Sequence, residues 1–281
     1  MVSRISFDDL VAKRGRIQAL QMFMVAEGLR PACRLRITRD ELPQLAAEAG
    51  SLALKMLVGF DAVAVKNVEG RQGFSEWGRR GRLSPHGRRD CYVYIVRDHI
   101  HGLQLRRSDE AGDDTAVGEL LGYPPCCISA FNVLVNTAMG CDPVISRYKD
   151  DSSIDWMMNV SLLCFGFTLL SHVPCDPECP LSKGLAIGYY DFLLTLRQAA
   201  AAELKSKLST RVLHTQTLGI AAFNGRTHEA GLEVDELCIV DPESVLGKML
   251  CCGSSIIRET DGVLVDGCLL AGSEVRLFNF S

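Results

Sequence analysis

Two short cysteine motifs constrain this chain more than any other feature of its sequence. The first reads LGYPPCC over residues 121–127, and the second reads HVPCDPECPLS over residues 172–182. Prolines in both motifs stand where a helix begins, because the amide that proline lacks has no partner in a first helical turn. The sequence therefore predicts that Cys126 and Cys127, and likewise Cys175 and Cys179, lie at helix starts.

A helix start favours the thiolate form of cysteine, since its free amides and the helix dipole stabilise negative charge. The thiolate is also the form that binds metal, so two facing helix starts would gather three or four ligands around one ion or cluster. Neighbouring residues on a helix point about 100° apart. We therefore expect only one of Cys126 and Cys127, left open here, to bind together with Cys175 and Cys179.

Three interpretations of this site follow from the ligand set. The first is an enzyme with a [4Fe-4S] cluster held by three cysteines, whose open iron serves Lewis-acid or sulfur-transfer chemistry on a small molecule. The second is a non-enzymatic, zinc-stabilised binding protein, with four thiolates or with three thiolates and the His172 imidazole. The third is a redox or metal-sensing protein that uses the vicinal thiols. His172, Ser182 and Tyr123 are the candidate catalytic side chains.

The chain has 12 cysteines in 281 residues, which by number alone would suggest a disulfide-rich secreted protein. Its first 16 residues lack the apolar stretch of a signal peptide, disulfide scaffolds are usually shorter, and several thiols lie in apolar runs. We therefore expect a reduced, cytoplasmic protein. A second vicinal pair, Cys251 and Cys252, is interpreted as packing, and the remaining cysteines as core or loop residues.

Charge and hydropathy indicate which kinds of partner the chain could bind. The net charge of -4 argues against general nucleic-acid binding. An arginine-rich segment over residues 71–90 is interpreted chiefly as a solvated loop, although Arg79, Arg80 and Arg82 are candidates for binding an anionic small-molecule substrate. His99 and His101 form a weak candidate metal pair after a strand. No apolar run is long and uninterrupted enough to span a membrane.

The pattern of apolar residues predicts an α+β fold in three parts: a small α/β part over residues 1–110, a helical metal- or cluster-binding part over 111–208, and an antiparallel β part over 209–281. Helices are predicted over residues 7–29, 38–57, 115–121, 124–139, 154–171 and 176–208. Strands are predicted over residues 33–37, 62–65, 91–96, 212–223, 236–240, 263–265 and 274–280.

The two motifs together resemble a largely uncharacterised family of prokaryotic proteins that carries GYP-x-CC and a downstream H-x-PC-x3-C-x2-S. Phe131 and the strand that ends at Arg97-Asp98 are similar to that family as well, so the resemblance covers residues 91–190. It implies that the motif residues form one site, in a setting of accessory or sulfur-handling metabolism. Those residues are Gly122, Tyr123, Pro124, Cys126, Cys127, His172, Pro174, Cys175, Cys179 and Ser182.

Overall fold

The computed structural model describes residues 4–61, 63–64, 77–78, 90–137, 142–148, 153–228, 231–259, 262–271 and 275–280. Helices and antiparallel sheets share this part of the chain, so the predicted α+β class is confirmed. None of the helices within the described residues is long and apolar enough to cross a membrane. Two compact units are present: residues 1–66, 75–137 and 187–198 form the first, and residues 67–74, 138–186 and 199–281 form the second.

The first unit is built on a three-stranded antiparallel sheet in the order β1-β5-β2. The central strand is an apolar run that is buried on both faces, whereas β1 alternates buried apolar residues with exposed arginines. Helices precede, separate and follow these strands. The elements are α1 Phe7–Arg14, α2 Arg16–Ala26, β1 Ala32–Thr38, α3 Leu42–Ser51, β2 Lys55–Asp61, β3 Val63–Ala64, β4 Trp77–Gly78, β5 Asp90–Val96, α4 His99–Ala111, α5 Asp114–Leu120 and α6 Pro125–Thr137.

Two predictions for the first unit need correction. The helix predicted over residues 7–29 is two helices, because Gly15 adopts a φ of 77° that ends the first of them. The helix predicted to run to Leu57 ends at Ser51, and the residues from Lys55 onward pair with β5 as a strand. The predicted capping box is present: Thr38 and Glu41 bond to each other's backbone amides at the turn that opens α3.

The second unit contains an eight-stranded sheet in the order β12-β11-β10-β9-β8-β7-β13-β6. Its strands pair antiparallel except for β13 and β6, which are parallel. One face covers a core that includes Phe223, Val234 and Leu246. The elements are α7 Pro143–Arg147, β6 Ser153–Ile154, α8 Pro180–Leu196, which continues into the first unit, α9 Gln198–Leu208, β7 Arg211–Thr215, β8 Ile220–His228, β9 Gly231–Val240, α10 Val245–Met249, β10 Ser255–Glu259, β11 Gly262–Val265, β12 Cys268–Ala271 and β13 Val275–Phe280.

The helix predicted over residues 154–171 is wrong. Ile154 ends strand β6, and the rest of that segment holds two single 3₁₀ turns, Trp156–Met158 and Leu163–Phe165. Between them Asn159 is fully buried; its side-chain Nδ2 donates to the Leu208 carbonyl, and its Oδ1 accepts the backbone amide of Ser161. The tertiary bond to Leu208 and the local bond to Ser161 hold the backbone in an irregular path that apolar periodicity alone does not reveal.

Candidate metal centre

The first cysteine pair is placed by a Schellman motif followed by a proline-initiated helix. Gly122 has a φ of 79°, and the amides of Gly122 and Tyr123 donate to the Glu119 and Gly118 carbonyls at the end of α5. Helix α6 then begins at Pro125, so Cys126 and Cys127 occupy its first turn as predicted. Cys126 is exposed, whereas Cys127 is buried.

The second cysteine pair lies in the turn before α8. Helix α8 begins at Pro180, four residues later than predicted, and α9 is a separate helix. The Asp176 side chain accepts the amide of Glu178, and its carbonyl accepts the amide of Cys179. The Cys179 carbonyl in turn accepts the amide of Lys183, which makes Cys179 the residue that caps the helix. Cys175 therefore lies in the preceding loop rather than beside a helical turn.

The four motif cysteines come together as one group of potential metal ligands. The Sγ atoms of Cys126, Cys127, Cys175 and Cys179 all lie within 4.8 Å of one another. Those of the vicinal pair are 3.9 Å apart. The expectation that the vicinal sulfurs diverge is not met, because both belong to the group. Cys127 and Cys179 are buried, Cys175 is half-buried and Cys126 is exposed, so one side of the group reaches the surface.

The predicted helper residues lie next to the cysteines with partners of their own. The His172 Nε2 atom lies 2.9 Å from the hydroxyl oxygen of Ser182, which is fully buried. Among the described residues, the ligand group consists of cysteines and does not include His172. Tyr123 lies beneath a guanidinium, since Cζ of Arg30 is 5.8 Å from its ring centre.

Two arginines that contact the motifs were not predicted from the sequence. Nη1 of Arg147 donates to the carbonyls of Val173 and Pro174, each at 3.2 Å, and so fixes the loop immediately before Cys175. Arg30 contacts Tyr123 from the segment between α2 and β1. Both arginines are distant in sequence from the motifs that they contact, and no local pattern marks them.

The other candidate residues from the sequence do not belong to the four-cysteine group found among the described residues. His101 lies in the first turn of α4 and bonds to the Leu120 carbonyl, so the pair His99 and His101 is not on a strand. Cys251 and Cys252 are exposed, which overturns the packing interpretation. Burial raises the pKa of Cys33 to about 12, as expected for a core thiol. Arg79, Arg80, Arg82 and Cys141 lie outside the described residues.

Fold and site together define an α+β protein with a four-cysteine group able to bind a metal ion. No family model, curated protein or solved structure matches the chain. The resemblance to the prokaryotic GYP-x-CC family therefore stays a prediction based on the two motifs.

Proposed function

We propose that Cys126, Cys127, Cys175 and Cys179 bind a single zinc ion that stabilises the protein. The observation that carries this proposal is the spacing of the sulfurs. Ligands of one tetrahedral zinc with Zn–S bonds of about 2.3 Å lie about 3.8 Å apart, and the vicinal sulfurs are 3.9 Å apart within a group no wider than 4.8 Å. Small adjustments would suffice to bring all four sulfurs onto one ion.

The number of ligands supports a structural rather than a catalytic metal. Four thiolates fill the tetrahedral coordination sphere, whereas catalytic zinc keeps one position for water or substrate. The backbone around the cysteines supports this assignment, because Arg147 holds the loop before Cys175 and the turn after α5 holds the start of α6. The protein itself would then act as a zinc-stabilised binding protein.

The second candidate is the [4Fe-4S] enzyme that the sequence predicts. Proline-initiated helix α6 and the hydrogen-bonded pair of His172 and Ser182 beside the cysteines favour it. Each thiolate of such a cluster binds a different iron, so the sulfurs are spread about 6 Å apart. The observed group is tighter than that, and the cysteines would have to move outward to hold a cluster.

Metal analysis of protein purified without oxygen distinguishes the two candidates. We expect one equivalent of zinc, no acid-labile sulfide and no visible absorption, and cobalt substitution should give the intense bands of a tetrahedral four-thiolate site. Brown protein with stoichiometric iron and sulfide would instead establish the cluster.

Paired variants test the ligands. The double variant Cys126→Ser/Cys127→Ser should lose zinc, whereas Cys251→Ser/Cys252→Ser, a vicinal pair outside the group, should retain the full equivalent. Equal zinc content in both variants would refute the assignment.

A further inference from the structure

A buried guanidinium lies beside the turn that leads into the first cysteine pair. Arg30 is 3% exposed, and its Nε atom has no hydrogen-bond partner in the part of the chain that the structure describes. Its charge faces the ring of Tyr123, three residues before Cys126. A cation taken out of water needs a compensating negative charge, and an aromatic face supplies only part of that compensation.

Backbone contacts hold Arg30 in this position. Its amide donates to the Met24 carbonyl at the end of α2. The next residue, Pro31, packs against the turn after α5, since a Cβ atom added to Gly122 would lie 2.7 Å from Pro31 Cδ. The backbone at Arg30 is therefore held at the end of α2, and the next residue is held against the turn that precedes Cys126.

Within the part of the chain that the structure describes, the side chain of Arg30 forms no ion pair with a carboxylate. Arg30 lies near the Cys33 thiol and the Tyr189 phenol, and burial raises the pKa of each group more than the nearby guanidinium lowers it. Both groups are therefore neutral at physiological pH. Arg147, the other arginine next to the motifs, is only half-buried, and its Nη1 donates to two carbonyls.

We propose that the Arg30 guanidinium is a counter-charge of the four-thiolate centre and thereby increases its affinity for zinc. This inference rests on the zinc centre proposed above. Four thiolates and one zinc ion carry a net charge of −2, which a buried cation stabilises. Because charges interact over several ångströms inside a protein, we expect the charge of Arg30 to change the zinc affinity roughly ten-fold.

Zinc affinity, measured on the full chain by competition with a fluorescent chelator under reducing conditions, tests the proposal. Arg30→Met, which removes the charge but keeps the length, should weaken zinc binding roughly ten-fold or more. Arg30→Lys, which keeps the charge, should recover most of that loss. Arg14→Met is the matched control: it removes a buried arginine that is paired with Glu48 at 2.6 Å. This control should lower thermal stability and leave the zinc affinity of the folded protein unchanged.

Each other outcome overturns the inference in a distinguishable way. If Arg30→Met binds zinc as tightly as the parent chain, Arg30 is not a counter-charge, although the zinc centre itself is unaffected. If the Met and Lys variants lose the same amount of zinc affinity, the role of Arg30 is purely steric. If phosphate or acetate stabilises the parent chain but not Arg30→Met, and the zinc affinity of the two is the same, Arg30 binds a free anion instead. A parent chain that binds no zinc refutes both proposals. Arg30→Gln replaces the Met variant if circular dichroism shows that the latter is unfolded.

Discussion

At the scale of single residues, the buried pair of Asp142 and His214 links stability to pH. Their side chains are almost completely buried, with Nε2 of His214 3.2 Å from Oδ2 of Asp142. Burial alone would raise the pKa of Asp142, but its bond to His214 and the amides of Ile145 and Val144 together lower it. Because the folded pKa lies below the unfolded one, this stabilisation is complete above about pH 4 and is lost as the pH falls further.

Asp142→Asn keeps an N-cap for α7 but removes the charge, so it isolates this contribution. We expect the variant to lose roughly 1–3 kcal/mol of unfolding free energy at pH 7. The difference from the parent chain should narrow as the pH falls below about 4. Urea unfolding at a series of pH values measures it, and a difference that is independent of pH would contradict the assigned role.

At the scale of elements, the turn between α5 and α6 sets the direction in which the cysteine helix starts. Gly122 combines a positive φ with a close approach to Pro31. Gly122→Ala should therefore cost about 1–2 kcal/mol from the left-handed conformation alone, with a further cost from the contact with Pro31. It should also weaken metal binding, because Cys126 and Cys127 follow directly.

A second glycine serves as the control for that variant. Gly184 lies inside α8, is exposed and has no atom within 4 Å of an added Cβ. Gly184→Ala should stabilise the protein by up to about 1 kcal/mol. Denaturant unfolding of both variants measures whether each substitution lowers or raises the free energy of unfolding. A loss of stability in Gly184→Ala would show that this face of α8 is covered.

At the scale of the whole molecule, zinc should contribute to stability because only the folded chain assembles the four thiolates. Removal of the metal by a chelator should lower the melting temperature, and added zinc should restore it in proportion to the logarithm of its free concentration. Differential scanning calorimetry measures both changes. A melting temperature that is unaffected by chelation would argue against a structural metal.

Thiol reactivity provides a second test of the whole molecule. In the zinc-loaded protein, the exposed thiols of Cys251, Cys252 and Cys268 should be alkylated first. The four clustered cysteines should react only after chelation, and Cys33 only on unfolding, because burial raises its pKa to about 12. Peptide mass spectrometry after timed labelling records this order. Early labelling of Cys127 in metal-loaded protein would contradict it.

Local signals in the sequence predicted several elements correctly. These signals act on residues within one or two turns, so the structures that they predict are present in the fold. They are Pro125, Gly122 and the Thr38–Glu41 capping box. The failures have a tertiary origin. Residues 154–171 are apolar enough for a helix, but Asn159 bonds to Leu208, and the strand from Lys55 exists because β5 offers it hydrogen-bond partners.

The sequence by itself determined that the four motif thiols lie within two residues of a proline, and that one pair lies in a first helical turn. Only the tertiary structure decided that all four sulfurs come within 4.8 Å of one another, including both members of the vicinal pair. It alone also brought the Arg30 guanidinium next to Tyr123. Local conformation depends on neighbours within a turn, whereas the distance between residues some fifty positions apart depends on how the elements pack.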